Sequence, residues 1–252
     1  MANDSLFMYT RNHFYIDPDV QHIISNSRVV LLGTGLSSTL AEVLVRTGFK
    51  NIFLCDGDLV EHSNLNRQNF INNDIGRSKV FALQKRLLEI NSDIDCIIRD
   101  QRIETMTQMK DTLEDADIII NTVDCGPIYF ELIESCRKMG KLVICPFNVG
   151  FGGLAVCFTE NSGSAFEFFE TEGNSDDYEV ARCLLRKPKV TLAEQVGKPR
   201  EEFFAAVKKE GYFPQLGIGS AITAGIVATA CVDFLKQKEI LVAPKFHYLS
   251  AN

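Results

Sequence analysis

The stretch RVVLLGTGLSSTLAEVLVRTGFKNIFLCDGDLVEHSNLNRQ, residues 28–68, decides the fold. Its first five residues, Arg28–Leu32, form an apolar run after a charge, which indicates a strand buried on both faces. A Gly-Thr-Gly turn follows, and apolar residues then recur with helical spacing up to Gly48. A second apolar run occupies residues 51–55. This order of strand, glycine turn, helix and strand predicts a parallel sheet with a nucleotide pocket at its edge.

Strands and helices continue to alternate up to residue 159. Further helices are predicted at residues 76–91, 105–113 and 127–139, and further strands at 95–99, 116–123, 141–147 and 154–159. Such alternation is typical of an α/β fold with a doubly wound, mainly parallel, Rossmann-like sheet and right-handed crossovers.

A C-terminal extension follows this core. Residues 160–178 are polar and acidic, which predicts a loop or mobile segment, and residues 180–209 contain one or two helices. A long apolar helix is predicted at 216–236 and a last strand at 245–249. We expect one domain over residues 1–252, with a nucleotide-binding core at about 28–159 and a C-terminal substrate or dimer region at about 160–252.

Composition limits the classes of function. The 252 residues carry a net charge of −7, which argues against broad binding to nucleic acid or to anionic membranes. The run Leu216–Leu235 is long enough to span a bilayer, but seven Gly, Ser, Thr and Asp residues dilute it, so a buried or interface helix is favoured. No signal peptide is evident, and none of the eight cysteines form a C-x-x-C motif. We expect a cytoplasmic protein with reduced thiols and without zinc.

The glycine turn and the acids after the second strand predict one half of a ligand site. Residues Gly33, Gly35, Leu36 and Ser37 open a helix whose free N–H groups and dipole attract phosphate. Asp56 ends the second strand about 20 residues later, the place of a ribose-binding carboxylate, and Asp58 follows it. The structural alternatives are a glycine turn without ligand and solvated acids at a strand end.

An unusual polar cluster, Asn64-Leu65-Asn66-Arg67-Gln68, follows. Arg67 can pair bidentately with phosphate oxygens while amides orient them, which suits nucleotidyl transfer. Lys79, at the start of the next helix, can meet a phosphate as a point charge. Asp124 ends the central strand, where one carboxylate with phosphate oxygens suits Mg²⁺. The bland alternatives are a surface ion pair for Arg67, a solvated Lys79 and a turn-capping Asp124.

Together these residues resemble the ThiF/MoeB/HesA family, whose adenylating fold is shared with ubiquitin-activating enzymes. The resemblance covers roughly residues 9–158 and is carried by the glycine turn, Asp56-x-Asp58, the Asn64–Gln68 cluster, Lys79 and Asp124 in family order. It implies an ATP- and Mg²⁺-dependent adenylyltransferase. Such an enzyme activates a carboxylate, here the C-terminus of a ubiquitin-like or sulfur-carrier protein or of a peptide, as an acyl-adenylate.

The resemblance also implies roles for single residues. The glycine turn would approach the phosphates, Asp56 would hold the ribose, and Asp124 would bind Mg²⁺. Asn66, Arg67 and Lys79 would hold and neutralise the triphosphate. The segment Tyr9-Thr10-Arg11-Asn12 resembles the family's N-terminal segment, in which an Arg reaches the partner subunit's ATP. Arg11 is therefore a candidate residue acting in trans in a homodimer; its alternative is an exposed tail residue.

The chain departs from the family pattern at three places. Ser38 stands where the family has a glycine, Cys125-Gly126-Pro127 replaces a polar continuation after Asp124, and the paired C-x-x-C motifs are absent. Cys183 lies where some relatives carry a sulfur-accepting cysteine, and Arg182 and Arg186 would lower its pKa. A buried, inert thiol is the favoured reading of Cys183.

Two other classes of function stay open at the level of sequence. An NAD-dependent oxidoreductase would use the same glycine turn, although no evident His or Tyr/Lys pair for hydride chemistry is present. A non-catalytic scaffold would keep the fold and dimerise through the long C-terminal helix. A comparison of the thermal stabilisation by MgATP and by NAD distinguishes the oxidoreductase hypothesis from the adenylyltransferase hypothesis.

Overall fold

A computed structural model describes residues 8–188, Val190 and residues 199–251 of the chain. Its strands are β1 (Arg28–Leu32), β2 (Asn51–Asp56), β3 (Asp95–Asp100), β4 (Ile118–Asn121), β5 (Leu142–Val149), β6 (Gly152–Phe158) and β7 (His247–Ser250). Its α-helices are α1 (Pro18–Asn26), α2 (Ser37–Thr47), α3 (Lys79–Ile90), α4 (Lys110–Glu114), α5 (Pro127–Lys138), α6 (Ala165–Phe169), α7 (Asp177–Leu184), α8 (Arg200–Glu210) and α9 (Gly217–Leu235).

The seven strands form one sheet in the order β3-β2-β1-β4-β5-β6-β7. The first five are parallel, and β6 and β7 add antiparallel at the edge. The strand order reverses direction between β1 and β4, which is the topological switch point of a doubly wound sheet. The predicted α/β class and mainly parallel sheet are confirmed, and β7 joins the C-terminal extension to the same sheet.

The apolar run of β1 is explained by the two hydrophobic cores that cover the two faces of the strand. Val29 and Leu31 point to a core shared with α1, α2, α3 and α9. Val30 and Leu32 point to a second core shared with α4 to α8. Because helices cover both faces of the sheet, successive apolar residues of β1 are equally buried. Apolar and polar residues therefore do not alternate along this strand.

The long apolar helix α9 packs against β5, β6 and α2. Among the described residues it is the helix with the length and hydropathy of a membrane span, and half of its most apolar window is buried inside the protein. Thr223 and Ala224 are on the buried face, and Thr223 donates a hydrogen bond to the carbonyl of Phe147. These contacts explain its composition as that of a helix packed on a sheet.

The prediction of a loop over residues 160–178 is wrong in part. Helix α6 begins at a capping box, in which the Ser164 hydroxyl accepts from the Glu167 N–H and the Glu167 carboxylate accepts from the Ser164 N–H. Helix α7 begins within the same segment at a second box, made by Asp176 and Glu179. Two of the acids that suggested a solvated loop, Glu167 and Asp176, are therefore parts of helix caps. Of the helical region predicted at 180–209, residues 189 and 191–198 lie outside the described residues.

The predicted helix at 105–113 is also divided. A 3-10 turn occupies Met106–Gln108, and α4 is a short helix of five residues. The other predicted strands and helices are confirmed with ends that differ by a few residues.

Candidate functional site

A cleft of about 540 Å³ runs along the carboxyl ends of β1 to β5. It crosses the switch point between β1 and β4, where ligands bind in open α/β sheets. The glycine turn after β1 lies at its middle. We call the part beside β2 and β3 the charged half, lined by Asp56, Asp58, Arg67, Lys79 and Arg102, and the part beside β4 and β5 the neutral half, lined by Asn121, Tyr129, Phe147 and Asn148.

The glycine turn brings backbone close to the cleft. Gly33 has φ +82°, and a Cβ there would lie 2.6 Å from the carbonyl oxygen of Thr122. A Cβ on Gly35 would lie 3.0 Å from Nε2 of Gln68. Gly33 therefore needs glycine for both its conformation and its close approach to backbone, whereas a Cβ at Gly35 would displace only the amide end of the Gln68 side chain. Leu36 lines the cleft directly before α2, so the N-terminus of that helix faces the ligand space.

Asp56 ties the glycine turn to β2. Its Oδ2 accepts from the N–H of Thr34 at 2.7 Å and from the Thr34 hydroxyl at 3.0 Å, while Oδ1 accepts from the N–H of Asp58 at 2.8 Å. An ionised carboxylate has about four acceptor positions, so roughly one remains for a ligand hydroxyl. Asp56 thus orders the turn and retains the capacity to accept one further hydrogen bond.

Ser38 has a defined role at its position in α2. It is fully buried, its hydroxyl donates to the carbonyl of Gly35 at 2.7 Å, and the same oxygen accepts from the N–H of Asn69 at 2.9 Å. A glycine here would lack both bonds. The side chain that departs from the family pattern therefore links the glycine turn to the segment that carries Arg67.

Arg67 is a half-buried cation bonded to neutral groups. Its Nε donates to Oε1 of Gln215 at 2.7 Å, and Nη1 donates to the carbonyl of Ser63 at 2.7 Å and to Oδ1 of Asn66 at 2.9 Å. Burial lowers the pKa of Arg67 without removing its charge. Within the described parts of the chain no carboxylate pairs with it. The surface ion pair considered for Arg67 is not formed, and its positive charge stays available to an anion.

Asp58 holds two cations at the cleft. Its Oδ2 lies 3.0 Å from Nζ of Lys79, whose side chain is 9% exposed, and its Oδ1 lies 2.8 Å from Nη2 of Arg102. Burial alone would raise the pKa of Asp58, but the hydrogen bonds and charges of Lys79 and Arg102 outweigh it and lower the pKa. Lys79 is thus not the solvated helix residue of the alternative reading. Arg102 was not predicted as a site residue. It follows β3, and the sequence does not show that β3 lies beside β2 in the sheet.

Asp124 lies on the other side of the glycine turn, three residues after β4. Burial raises its pKa, and the negative charges of Asp177 and Asp58 raise it further. Asp177, on α7, accepts from the N–H of Cys125 at 2.8 Å. Within the described residues no three His, Cys, Asp or Glu side chains form a metal-binding group. One or two carboxylates that need charge compensation fit an ion such as Mg²⁺ that takes its other ligands from phosphate and water.

The neutral half was not predicted from the sequence. Asn121 ends β4, Asn148 lies near the end of β5 and Tyr129 lies on α5; all three are at least nine-tenths buried. The C-terminal region supplies an apolar wall, which includes Ala181, Leu184, Leu185 and Phe213. A polar residue at the end of an apolar run, such as the Asn of IIIN at 118–121, was the available signal.

The predicted site residues fall into two groups. Those that line the cleft are Gly33, Gly35, Leu36, Asp56, Asp58, Arg67, Gln68, Lys79 and Asp124. Those outside its lining are Arg11, Ser37, Asn64 and Asn66. Ser37 donates to the carbonyl of Gly33, the Asn64 side chain closes a turn by accepting from the N–H of Glu61, and Asn66 donates to the carbonyl of Gln215 at 3.1 Å. In the structure these three side chains support the loops around the cleft.

Arg11 lies at the far end of α2 from the glycine turn. Its neighbours anchor the segment there, since Tyr9 donates to the carbonyl of Val45 and Asn12 to that of Thr47. An eleven-residue helix is about 16 Å long, so Arg11 is well separated from the cleft of its own chain. The segment is tethered, and Arg11 is exposed and does not line this cleft.

Cys183 is buried, and its thiol donates to the carbonyl of Phe168 at 3.6 Å. Burial raises its pKa, which outweighs the lowering effect of Lys187 and Arg186. Such a thiol is protonated at neutral pH and is a poor nucleophile. The structure therefore gives Cys183 a packing role.

Comparison with known proteins identifies relatives over most of the chain. A family model described as ThiF family matches residues 9–252. The sulfur carrier protein ThiS adenylyltransferase of Escherichia coli (strain K12) is 32% identical over 162 residues, 62% of this chain and 64% of the relative. The probable molybdopterin-synthase adenylyltransferase of Porphyra purpurea is 30% identical over 184 residues, 69% of this chain and 48% of the relative. The chain thus spans about half to two thirds of these proteins.

Solved structures share the fold at lower sequence identity. PaaA superposes with a TM-score of 0.73 and 20% identity, over 100% of this chain and 81% of PaaA. E. coli MccB, solved with AMPCPP and MccA, gives a TM-score of 0.70 and 20% identity, over 99% of this chain and 72% of MccB. The architecture built above is therefore shared, over nearly the whole chain, with these solved structures.

Proposed function

The chain belongs to the ThiF family, and on that premise we propose that it is an ATP-dependent adenylyltransferase that activates a carboxylate. The carboxylate is the C-terminus of a small sulfur-carrier or ubiquitin-like protein, or of a peptide. Relatives named for ThiS and for molybdopterin synthase, and an MccB structure that contains MccA, support this class of substrate.

One observation carries the proposal. Arg67, half-buried and bonded to neutral oxygens alone, faces a cleft that also contains the glycine turn and Lys79. A positive charge held without a counter-ion in a partly desolvated site favours a strongly anionic ligand. The triphosphate of ATP meets that need better than the pyrophosphate of NAD, so we set the oxidoreductase reading aside.

The chemistry follows from these positions. A carboxylate oxygen of the substrate attacks the α-phosphorus of ATP, the bond to the bridging oxygen breaks, and pyrophosphate leaves with the electron pair. Negative charge grows on the phosphate oxygens during this step, and Arg67, Lys79 and Arg102 stabilise it electrostatically. Asp56 and the glycine turn hold the nucleotide in place, with Gln68 beside them.

Asp124 is the residue that would bind Mg²⁺ in this site, with Asp177 close enough to influence its charge. The ion would supply charge compensation for the phosphate oxygens. No zinc is assigned to the protein.

A homodimer with Arg11 reaching the partner subunit's ATP completes the proposal. It is supported by the tethered position of Arg11 away from its own cleft and by the exposed residues Phe14 and Ile218 near the start of α1 and on α9. A cytoplasmic location fits the eight unpaired cysteines. Neither nucleic acid nor a membrane is assigned as a partner.

Exchange of labelled pyrophosphate into ATP tests the proposal. Purified small proteins with exposed C-terminal tails, and peptides of the same tails, are added one at a time with MgATP. We expect exchange that depends on a free C-terminal carboxylate and disappears when the tail ends in a carboxamide. Folded protein that binds MgATP but exchanges no pyrophosphate with any of these tails would contradict the proposal, and stabilisation by NAD but not by MgATP would favour the alternative.

A further inference from the structure

The floor of the neutral half contains unpaired polar atoms. Of five buried side-chain nitrogen or oxygen atoms without a hydrogen-bond partner in the described part of the chain, four belong to residues that line the cleft: Oε1 of Gln68, Oδ1 of Asn121, Oη of Tyr129 and Oδ1 of Asn148. Three of the four lie in the neutral half. Buried polar atoms are normally hydrogen-bonded, so such a concentration in one cavity points to a ligand.

The orientation of the Asn121 amide is fixed by its neighbour. Its Nδ2 donates to the backbone carbonyl of Tyr129 at 3.1 Å. A carbonyl only accepts, so the nitrogen must face it and the oxygen must face away. Asn148 donates through Nδ2 to the hydroxyl of Ser220 at 2.7 Å, and its Oδ1 has no hydrogen-bond partner among the described residues. A hydroxyl can also donate, so this contact orients Asn148 less strictly than the carbonyl of Tyr129 orients Asn121. In the orientation of the structure, each amide leaves an oxygen that needs a donor.

The Tyr129 hydroxyl stays protonated beside these amides. The ring is 2% exposed, and burial raises the pKa of the phenol well above its ordinary value. The polar group next to it is the thiol of Cys145, a weak partner. The three floor side chains carry no charge of their own, and the two amides present acceptors. The nearest carboxylates are those of Asp124 and Asp177 on the same side of the cleft, and the charge of Asp177 also raises the Tyr129 pKa.

An acceptor-rich floor selects a particular kind of ligand group. Phosphate and carboxylate oxygens only accept, so they gain nothing from the two amide oxygens, and the Tyr129 hydroxyl is the one donor among the three unpaired groups of the described floor. They belong with the cations Arg67 and Lys79. A donor such as a backbone N–H satisfies the floor. These oxygens are buried but belong to residues that line the cleft, so a donor reaches them after a side-chain rearrangement, which the new hydrogen bond favours.

Adenine also carries N–H donors, but the topology places it elsewhere. The acid at the end of β2, Asp56, is the expected ribose ligand, and the cleft continues beyond it past Gln101 and Arg102 after β3. The base then lies toward β3. Asn121 ends β4 and Asn148 lies on β5, so both are on the opposite side of the glycine turn.

We propose that Asn121 and Asn148 form a subsite that accepts hydrogen bonds from the last backbone N–H groups of a peptide tail, next to the carboxylate that is activated. The subsite thereby selects amide-linked tails over acids of the same length without donors. This inference rests on the proposed function, since it takes the tail as the substrate.

The probe is a labelled decapeptide ending in Gly-Gly, because two glycines present backbone N–H groups without side chains. In the comparison peptide, glycolate replaces the last glycine, so that an ester oxygen takes the place of one backbone N–H. Fluorescence anisotropy with the wild-type protein should give about five- to tenfold weaker binding for the ester. This comparison needs no change in the protein and so does not depend on the folding of a variant.

The variant Asn121→Ala completes the cycle. This variant should bind the amide peptide more weakly than the wild-type protein does. The affinity for the amide peptide should then exceed that for the ester peptide by about twofold or less, with the Kd for ATP unchanged. Asn51→Ala is the matched control, since Asn51 lies at the opposite end of the sheet and donates to the carbonyl of Ser25. It should keep the full ratio.

Each other outcome overturns the inference. Equal affinity of wild-type protein for amide and ester, no binding of the amide peptide, or an unchanged ratio in Asn121→Ala excludes the N–H subsite. Loss of ATP affinity in Asn121→Ala with the ratio retained assigns the floor to adenine. Pyrophosphate exchange on the same peptides separates the two proposals: binding with the ester penalty but without exchange rejects adenylation and keeps the subsite.

Discussion

The charged half and the neutral half of the cleft meet at the glycine turn but recognise opposite kinds of groups. The charged half presents the cations Arg67, Lys79 and Arg102 to acceptor-only phosphates. The neutral half presents the amide oxygens of Asn121 and Asn148 without a charge in its floor. Under the proposed function, one cleft thus separates two substrates by chemistry, because a triphosphate gains nothing from amide oxygens and an N–H group is repelled by cations.

The two halves also differ in where their residues come from. The charged half is built from β1 to β3 and the loops after them, whereas the wall of the neutral half comes from α7 and the segment before α9. A nucleotide site carried by the first part of the fold can therefore persist while the second part adapts to another tail. Substitutions in one half should affect one substrate.

Arg67→Ala should have the largest effect in the charged half. Without this uncompensated cation, kcat/KM for ATP should fall roughly 10²- to 10³-fold, as for the loss of one preorganised electrostatic group. The affinity for the Gly-Gly decapeptide should change little. Pyrophosphate exchange over a range of ATP concentrations measures the first quantity and anisotropy measures the second.

Arg46→Ala is the matched control for that substitution. Arg46 is an exposed arginine on α2 that pairs with Glu42 at 3.7 Å and does not line the cleft. It should leave both substrates unaffected, since exposed pairs contribute about 0–1 kcal/mol. An equal loss of ATP and peptide affinity in Arg67→Ala would show that the two halves are not separate.

The same division explains what the sequence could predict. Gly33, Asp56 and Arg67 lie in one local stretch, and a strand, turn, helix and strand place them at one edge without knowledge of distant pairing. The positions of the buried strands β1, β2, β4 and β5 along the chain followed in the same way from apolar runs. These features depend on local periodicity, which a single sequence contains.

The neutral half depends on long-range pairing instead. Asn121, Asn148 and Phe213 lie far apart in the chain, and only the packing of β4, β5 and the C-terminal segment brings them together. The prediction of a loop from the acids of residues 160–178 was wrong in part for a related reason. Whether an acid is solvated or caps a helix depends on the N–H groups that face it, as Ser164 and Glu167 show.

Ser38→Ala tests how firmly the charged half is held. It removes the bond to the carbonyl of Gly35 and leaves the N–H of Asn69 without its partner. The free energy of unfolding should fall by about 1–3 kcal/mol, and KM for ATP should rise while peptide affinity stays constant. Chemical denaturation measures stability. Ser25→Ala, which removes an exposed hydroxyl bonded to the carbonyl of His22, should change it by less than about 0.5 kcal/mol.

A stability loss without any change in KM for ATP would contradict this view of Ser38. It would mean that the Asn69 contact supports the fold alone and leaves Arg67 in place.

Gln215→Glu challenges the separation of the halves directly. Gln215 belongs to the C-terminal region, yet its Oε1 accepts from Nε of Arg67 at 2.7 Å. A carboxylate at the same position would neutralise Arg67, and ATP affinity should fall about tenfold, or ~1.4 kcal/mol. Gln215→Ala leaves the charge of Arg67 uncompensated and removes one hydrogen bond to it. ATP affinity should therefore fall by about threefold or less. Isothermal titration with ATP distinguishes the two. Equal losses would show that Gln215 positions Arg67 and that its neutrality is irrelevant.

Asp177→Asn should have the smallest effect, and its direction follows from charge. Burial raises the pKa of Asp124, and the carboxylate of Asp177 on α7 raises it further. Asp124 is protonated below its pKa and then cannot bind a cation, so Mg²⁺-supported ATP binding should fail at a higher pH than for an ordinary aspartate. The substituted amide keeps an oxygen for the N–H of Cys125 but removes one negative charge. The acid limb of ATP affinity, measured against pH at fixed Mg²⁺, should therefore move to lower pH. A limb that moves to higher pH would mean that Asp177 itself binds the ion, and that the helix of the neutral half contributes a metal ligand to the charged half.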